Sequence, residues 1–179
     1  LSGSSFKKIY YDSTMGRAVS KFIPSEDLVV PYTATDLATA DRVTHILKRT
    51  ENDIRKLQVQ GFYRDVDLQE FEDPETNNIQ AEVNKLDGVK ETGNGYKNDQ
   101  YTLLEIHVDL DLPGFEDPDG IKLPYIVTID EGSGNVLSVY RNYDEEDSLK
   151  KKKQYFVHYK FLPGLGFYGF GLIHMLGGL

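Results

Sequence analysis

The chain contains no cysteine. That removes disulfides, cysteine-based zinc fingers, thiol catalysis and iron–sulfur clusters in one step, and it is compatible with a reducing compartment. Tryptophan is absent too, so large apolar side chains must come from 12 tyrosines and 9 phenylalanines. No run approaches the roughly 18 consecutive apolar residues that a membrane-spanning helix needs. Bases are scarce: 20 Lys+Arg against 29 Asp+Glu leave a net charge of −9 (20 − 29). Such a balance argues against a DNA-coating or anionic-membrane protein, whose affinity comes from neutralising phosphates. The first five residues, Leu1 to Ser5, have neither a basic region nor an apolar run, so no signal peptide is visible. There is no initiator methionine, and the chain stops at Leu179 inside an apolar stretch, which predicts an inner piece of a longer protein.

What is present fits one domain spanning residues 1–179. Apolar residues make up 39% of the chain and charged residues 27%. The first is below the usual soluble share of about 45–50% and the second is ordinary, so wholesale disorder is not expected. Phe6–Tyr11 and Arg17–Phe22 flank a turn-like linker ending in Gly16, the pattern of a hairpin. Leu28-Val29-Val30 is a short strand stopped by Pro31, and Arg42–Arg49 alternates with apolar residues on both sides. Thr50 followed by Asp53 predicts a helix start, with Ile54 and Leu57 on one face and Gly61 as the stop. Ile79, Val83 and Leu86 predict a second short helix starting near Thr76, and Gly93-Asn94-Gly95 reads as a loop.

The second half is rich in strands. Leu104, Ile106, Val108, Leu110 and Leu112 alternate with Glu105, His107, Asp109 and Asp111, which predicts a strand with its leucine side buried and its acidic side wet. Tyr125–Ile129 and Val136–Tyr143 flank the hairpin turn Asp130–Asn135, and Tyr155–Phe161 reads as a last strand. The fold class that follows is α+β, mainly antiparallel sheet, with two or three short helices.

Candidate chemistry is sparse. Glu105, His107, Asp109 and Asp111 point the same way, and hard cations take carboxylate oxygen, so a metal-dependent hydrolase is one reading. Against it, four side chains in a row on one strand, spaced about 6–7 Å per two residues, cannot converge on one ion. Asp111–Asp119 lacks the alternating order and terminal Glu of a calcium loop. The histidines at 45, 107, 158 and 174 are scattered, and for the three of them that fall within strands or the C-terminal segment a hydrogen-bonded structural role is the default. Gly164, Gly166 and Gly169 match a dinucleotide fingerprint literally, but no helix and second parallel strand can follow within ten residues. Asp144–Asp147 followed by Lys150–Lys153 is a block of both signs, in which the acids cancel most of the field of the lysines. It suits a solvated loop or a subunit-contact patch.

Several stretches together resemble portal proteins of short-tailed bacteriophages and related prophages. They are Ser5–Asp12 (SFKKIYYD), Pro24–Val30 (PSEDLVV), Ile54–Gln58 with Gly61–Asp65 (IRKLQ, GFYRD), and Tyr101–His107 (YTLLEIH). The run Gln154–Tyr159, continuing through Gly164–His174, is the most characteristic part. The resemblance covers nearly all of this chain, as an inner fragment of such a protein. It implies a structural subunit of a ring of about twelve copies at one capsid vertex. DNA passes through the channel of that ring without sequence-specific binding, driven by a separate terminase. It further implies docking of terminase, scaffolding and capsid proteins and tail adaptor proteins, a place in the virion and in the host cytoplasm during assembly, and no membrane. The fragment would be the wing-type α+β region, with the segment 164–179 leading toward channel-forming helices. No catalytic residue, cofactor or metal is implied for it. Phe167, Tyr168 and Phe170 are the expected anchors, packing on an adjacent subunit, on the following helices, on another copy or on the sheet. The hydrolase of strand 104–112 is the alternative, and a small-molecule or peptide-binding module using the aromatic loop is a third reading.

Overall fold

The computed structural model describes residues 3–12, 15–68, 100–164 and 166–177. The predicted first hairpin is formed by β1 (Ser4–Asp12) and β2 (Arg17–Ile23), paired antiparallel from Phe6↔Ile23 to Asp12↔Arg17. Its turn uses Gly16 at φ +62°, a conformation that only glycine adopts without strain, and an Asp12 carboxylate oxygen accepts from the Met15 N–H at 3.1 Å. The remaining strands are β3 (Leu28–Val29), β4 (Arg42–Thr50), β5 (Gln100–Leu110), β6 (Leu123–Asp130), β7 (Val136–Arg141) and β8 (Phe156–Lys160). Among the described residues there are two α-helices, α1 (Glu51–Val59) after β4 and α2 (Leu172–Leu176) after β8, and one 3-10 turn, Ser25–Asp27, between β2 and β3. The strands form a three-stranded sheet in the order β2-β1-β8 and a five-stranded sheet in the order β3-β4-β5-β6-β7, antiparallel throughout. This is an α+β fold, mainly sheet. The helix expected near Thr76 and the loop at Gly93–Gly95 lie outside the described residues, and α2 was not foreseen from the sequence.

Helix α1 starts where its capping residues direct. The Thr50 hydroxyl accepts from the Asp53 N–H at 3.2 Å, satisfying one of the donors that a helix start leaves open. At the other end Gly61 takes φ +73°, the Gly61 N–H reaches Gln58 O at 2.9 Å, and the Phe62 N–H reaches Leu57 O at 2.9 Å. That nested pair of bonds is the Schellman ending, which needs a left-handed residue at this point. Thr50→Ala is expected to lower stability by about 1 kcal/mol. Urea denaturation reads it as a shift in midpoint at constant slope, and an unchanged midpoint would deny the cap.

The two sheets stack face to face, and the inner face of the five-stranded sheet carries two apolar clusters. Phe6, Ile23, Leu28, Leu37, Ala40, Val43, Phe156 and Phe167 form the first, between the sheets. Leu47, Ile54, Tyr63, Leu103 and Leu137 form the second, under α1 and the turn after it. Strand β4 passes from one to the other: Val43 belongs to the first cluster and Leu47 to the second, with His45 between them. A polar residue therefore sits at the seam of two apolar regions, and what it meets there defines the site.

Candidate functional site

His45 of β4 faces Glu105 of β5 in register, and Val43 faces His107, so the three polar side chains share the inner face with Leu103. This corrects the sequence-based expectation for β5. Glu105 and His107 lie on the covered side of the strand and not on a wet one. Leu103, which has their parity, is fully buried; the leucine side is partly covered as well, with Leu104, Ile106 and Val108 half-buried and Leu110 and Leu112 packed against buried Leu123, Tyr125 and Val127. The reason is that alternation separates two faces without saying which one a second layer will cover. Here the three-stranded sheet supplies the cover and brings Lys8 of β1. The Lys8 ammonium lies 2.5 and 2.6 Å from the two Glu105 carboxylate oxygens, across 97 residues of sequence. The His107 Nε2–H donates to the same carboxylate at 2.9 Å.

The aromatic walls of this seam come from β8 and the residue before it. Phe156 meets the His107 ring edge-on at 4.9 Å and the His45 ring at 5.8 Å, and Tyr155 meets His107 at 5.7 Å. Burial works against a charged Glu105, but the His107 hydrogen bond and the Lys8 ammonium outweigh it and hold the carboxyl at about 2. Burial pushes His45 down to about 4, against the pull of Glu105 and with the help of Lys8, Lys21 and His107. Neutral His45 keeps Nδ1 buried and without a hydrogen-bond partner. Burial first, then the negative Glu105, also raises the Tyr63 hydroxyl to about 12.

The four residues of the hydrolase reading are not brought together. Glu105 and His107 turn inward and are spent on Lys8 and each other, whereas Asp109 and Asp111 are exposed. The ammonium of Lys8 takes the position that a bound cation would need at Glu105. Among the described residues, no group of three or more His, Asp or Glu side chains is placed to hold a metal ion. In the Asp111–Asp119 stretch the carboxylates bend back to their own turns: Glu116 accepts from the Gly114 N–H at 3.0 Å and Asp117 from the Asp119 N–H at 2.9 Å. The mixed-charge block is mostly paired within its own loop, apart from Lys152, whose Nζ donates to Ala40 O at 2.8 Å. Asp147 accepts from the N–H groups of Leu149 and Lys151 at 3.1 Å each, Lys150 Nζ donates to Glu145 O at 2.6 Å, and Arg141 pairs with Glu145.

Sequence reasoning missed His45 and Lys8. Each is an ordinary residue in its own strand, and only the stacking of the sheets gives them a common partner. Of the other histidines, His158 Nε2 lies 2.9 Å from the Ser4 hydroxyl, and His174 Nδ1 accepts from the Gly171 N–H at 3.1 Å. The hydrogen-bonded structural role expected for histidines thus holds for three of the four.

The three aromatic anchors separate. Phe167 is 7% exposed and docks on its own chain, stacked 5.9 Å from Phe6 and 4.9 Å from the His158 ring. Tyr168 and Phe170 stay 49% and 41% exposed. The glycines of this segment serve close backbone approach. A Cβ on Gly3 would stand 1.9 Å from Gly169 O, and one on Gly169 would stand 2.6 Å from Gly3 O. No dinucleotide fold surrounds them. After the Leu162↔Phe170 bridge the chain enters α2, where Leu172, Ile173, Met175 and Leu176 are all exposed. No helix among the described residues is long and apolar enough to cross a membrane.

No protein-family model matches the chain, and no curated protein matches it.

Proposed function

We propose that this chain is a structural, assembly-forming domain rather than an enzyme, part of a subunit of a portal ring of the short-tailed-phage type. The observation that carries this reading is uncovered apolar surface. On the outer face of the three-stranded sheet, Ile9 and Tyr11 of β1, Phe22 of β2 and Val157 and Tyr159 of β8 are exposed. They are neighbours, since Lys7 pairs with both Phe22 and Val157, and Ser5 with Tyr159. Tyr168, Phe170 and α2 add a second exposed apolar region. Exposed Lys7 stands between Phe22 and Val157, its ammonium 5.6 Å from the Tyr159 ring centre, so the patch is apolar with one base at its middle, and exposed apolar surface of this kind serves contact with other protein. Of the four residues that the enzyme reading would use, Glu105 and His107 are closed off between the sheets and paired there, and Asp109 and Asp111 lie apart from them, exposed.

In this reading the domain makes ring contacts in an assembly of about twelve copies, with terminase, scaffolding and capsid proteins and tail adaptors as further partners. DNA slides through without being gripped, which a net charge of −9 favours. The site of action is the portal vertex of the virion, reached through the host cytoplasm.

Electron microscopy of the full-length protein tests the proposal. Closed rings are expected, and Tyr168→Ser with Phe170→Ser should impair them; a dispersed full-length monomer would overturn the reading. A second arm addresses the hydrolase alternative. Millimolar calcium, magnesium, manganese or zinc should leave Tm unchanged, because no site would add RT ln(1 + [L]/Kd). A rise of several degrees that Asp109→Ala with Asp111→Ala abolishes would restore that alternative.

A further inference from the structure

We propose that the seam between the two sheets is an acid-operated latch: His45, neutral and buried opposite Glu105, lets the sheets close, and its protonation loosens the three-stranded sheet from the five-stranded one. The geometry of the cluster carries this. A single carboxylate, Glu105, already serves two donors, Lys8 from β1 and His107 from its own strand. The charged groups acting on His45 from the packed elements are Lys8 of β1, Lys21 of β2, and Glu105 and His107 of β5. Lys8 and Lys21 pair in register on the covering sheet. Three of the four are bases, so a proton added at His45 brings a further cation to a seam whose one acid is already shared. The rest of the wall is aromatic, Phe156 and Tyr155, and can solvate no charge by hydrogen bonding through its rings. The Nδ1 atom has no acceptor waiting for its proton.

The latch also has a mechanical position. Lys8–Glu105 bridges the sheets, and the same ammonium lies 5.9 Å from the Phe156 ring centre. The cost of burying a charged His45, to which Lys8 and Lys21 add repulsion and which Glu105 only partly offsets, therefore falls where β1 and β8 pack on β4 and β5. The sign follows from the depressed value of His45. Opening binds a proton that the closed seam refuses, so the closed state is fully favoured above about pH 6.5 and loses ground as pH falls toward 4. The opening equilibrium should rise about 100-fold between pH 7 and pH 4.

Hydrogen exchange of the 179-residue chain, read by mass spectrometry across that range, tests the latch. Amides of β1 and β8 should lose protection about 100-fold more than the change seen for His45→Phe, while β6 and β7 keep theirs longer. The Nε2 and Nδ1 chemical shifts of His45 by NMR give the second readout, available even where the variant does not fold, and they should show a neutral ring at pH 6. A His45 that titrates near its ordinary value, or a His45→Phe chain with the wild-type pH profile, would overturn the proposal. Loss of protection at β1 and β8 that disappears in the variant would establish it.

Discussion

Glu105→Ala is expected to destabilise the chain by about 3–5 kcal/mol, the cost of removing one partner from a buried ion pair. Two donors lose their acceptor at once. The Lys8 ammonium, mostly buried at 15% side-chain exposure, keeps its charge without a counter-ion, and the His107 N–H keeps its burial without a hydrogen bond. Lys8→Met with Glu105→Leu separates the two penalties. With both charges gone, the ion-pair loss disappears, because well-packed apolar replacements of a buried pair are often neutral or stabilising. What remains is the orphaned His107 donor, so the double variant should sit about 1–3 kcal/mol below the wild type. Adding His107→Phe should recover most of that. Chemical denaturation of the three variants is sufficient. A Glu105→Ala chain as stable as the wild type would show that the bridge contributes nothing.

The same bridge sets a second acid limit below that of His45. Glu105 is held at about 2 against an ordinary 4.5, so its contribution is present above about pH 4.5 and is lost as pH falls through 2. The shift corresponds to about 3 kcal/mol at neutral pH. Acid unfolding of the wild type should therefore be spread over two windows, from 6.5 to 4 and from 4.5 to 2; Glu105→Gln should flatten the lower and, by removing the pull of the carboxylate on His45, deepen the upper.

Most strands were legible because their causes are local. Pro31 after Val30, the glycine turn before Arg17 and the Asp130–Asn135 turn each mark a boundary by chemistry confined to a few residues. In that last turn the Asp130 carboxylate accepts from the Ser133 N–H and hydroxyl at 3.1 and 2.6 Å, and Gly134 takes φ +70°. Thr50 and Gly61 bounded α1 for the same reason. The seam was illegible because its cause is not local. Nothing near Glu105 announces Lys8, 97 residues away, and a carboxylate in an alternating strand reads as solvent-facing until a counter-charge is known to cover it. The short α2 escaped because five residues between glycines carry too little periodicity to count.

The C-terminal aromatics yield the sharpest contrast between neighbours. Phe167→Ala is expected to cost about 3–5 kcal/mol, the range for emptying a buried phenylalanine site. Its ring stacks on Phe6, which is itself fully buried, and lies against His158, whose Nε2 is tied to Ser4. The Ser4 hydroxyl in turn accepts from the Gly169 N–H at 2.8 Å, so ring packing and backbone docking hold the same short segment on β1. Three residues on, Phe170→Ser should cost less than about 1 kcal/mol, since a side chain 41% exposed leaves little cavity behind. On the proposed assembly role, the order should reverse in the full-length protein: Phe170→Ser with Tyr168→Ser leaves a folded domain that assembles poorly, whereas Phe167→Ala weakens the domain before assembly is reached. Thermal denaturation of the 179-residue chain, set beside particle images of the full-length variants, makes the comparison. Equal melting losses at Phe167 and Phe170 would mean that the segment is not docked on β1, and rings unaffected by the Tyr168 and Phe170 changes would remove the exposed aromatics from the assembly contact.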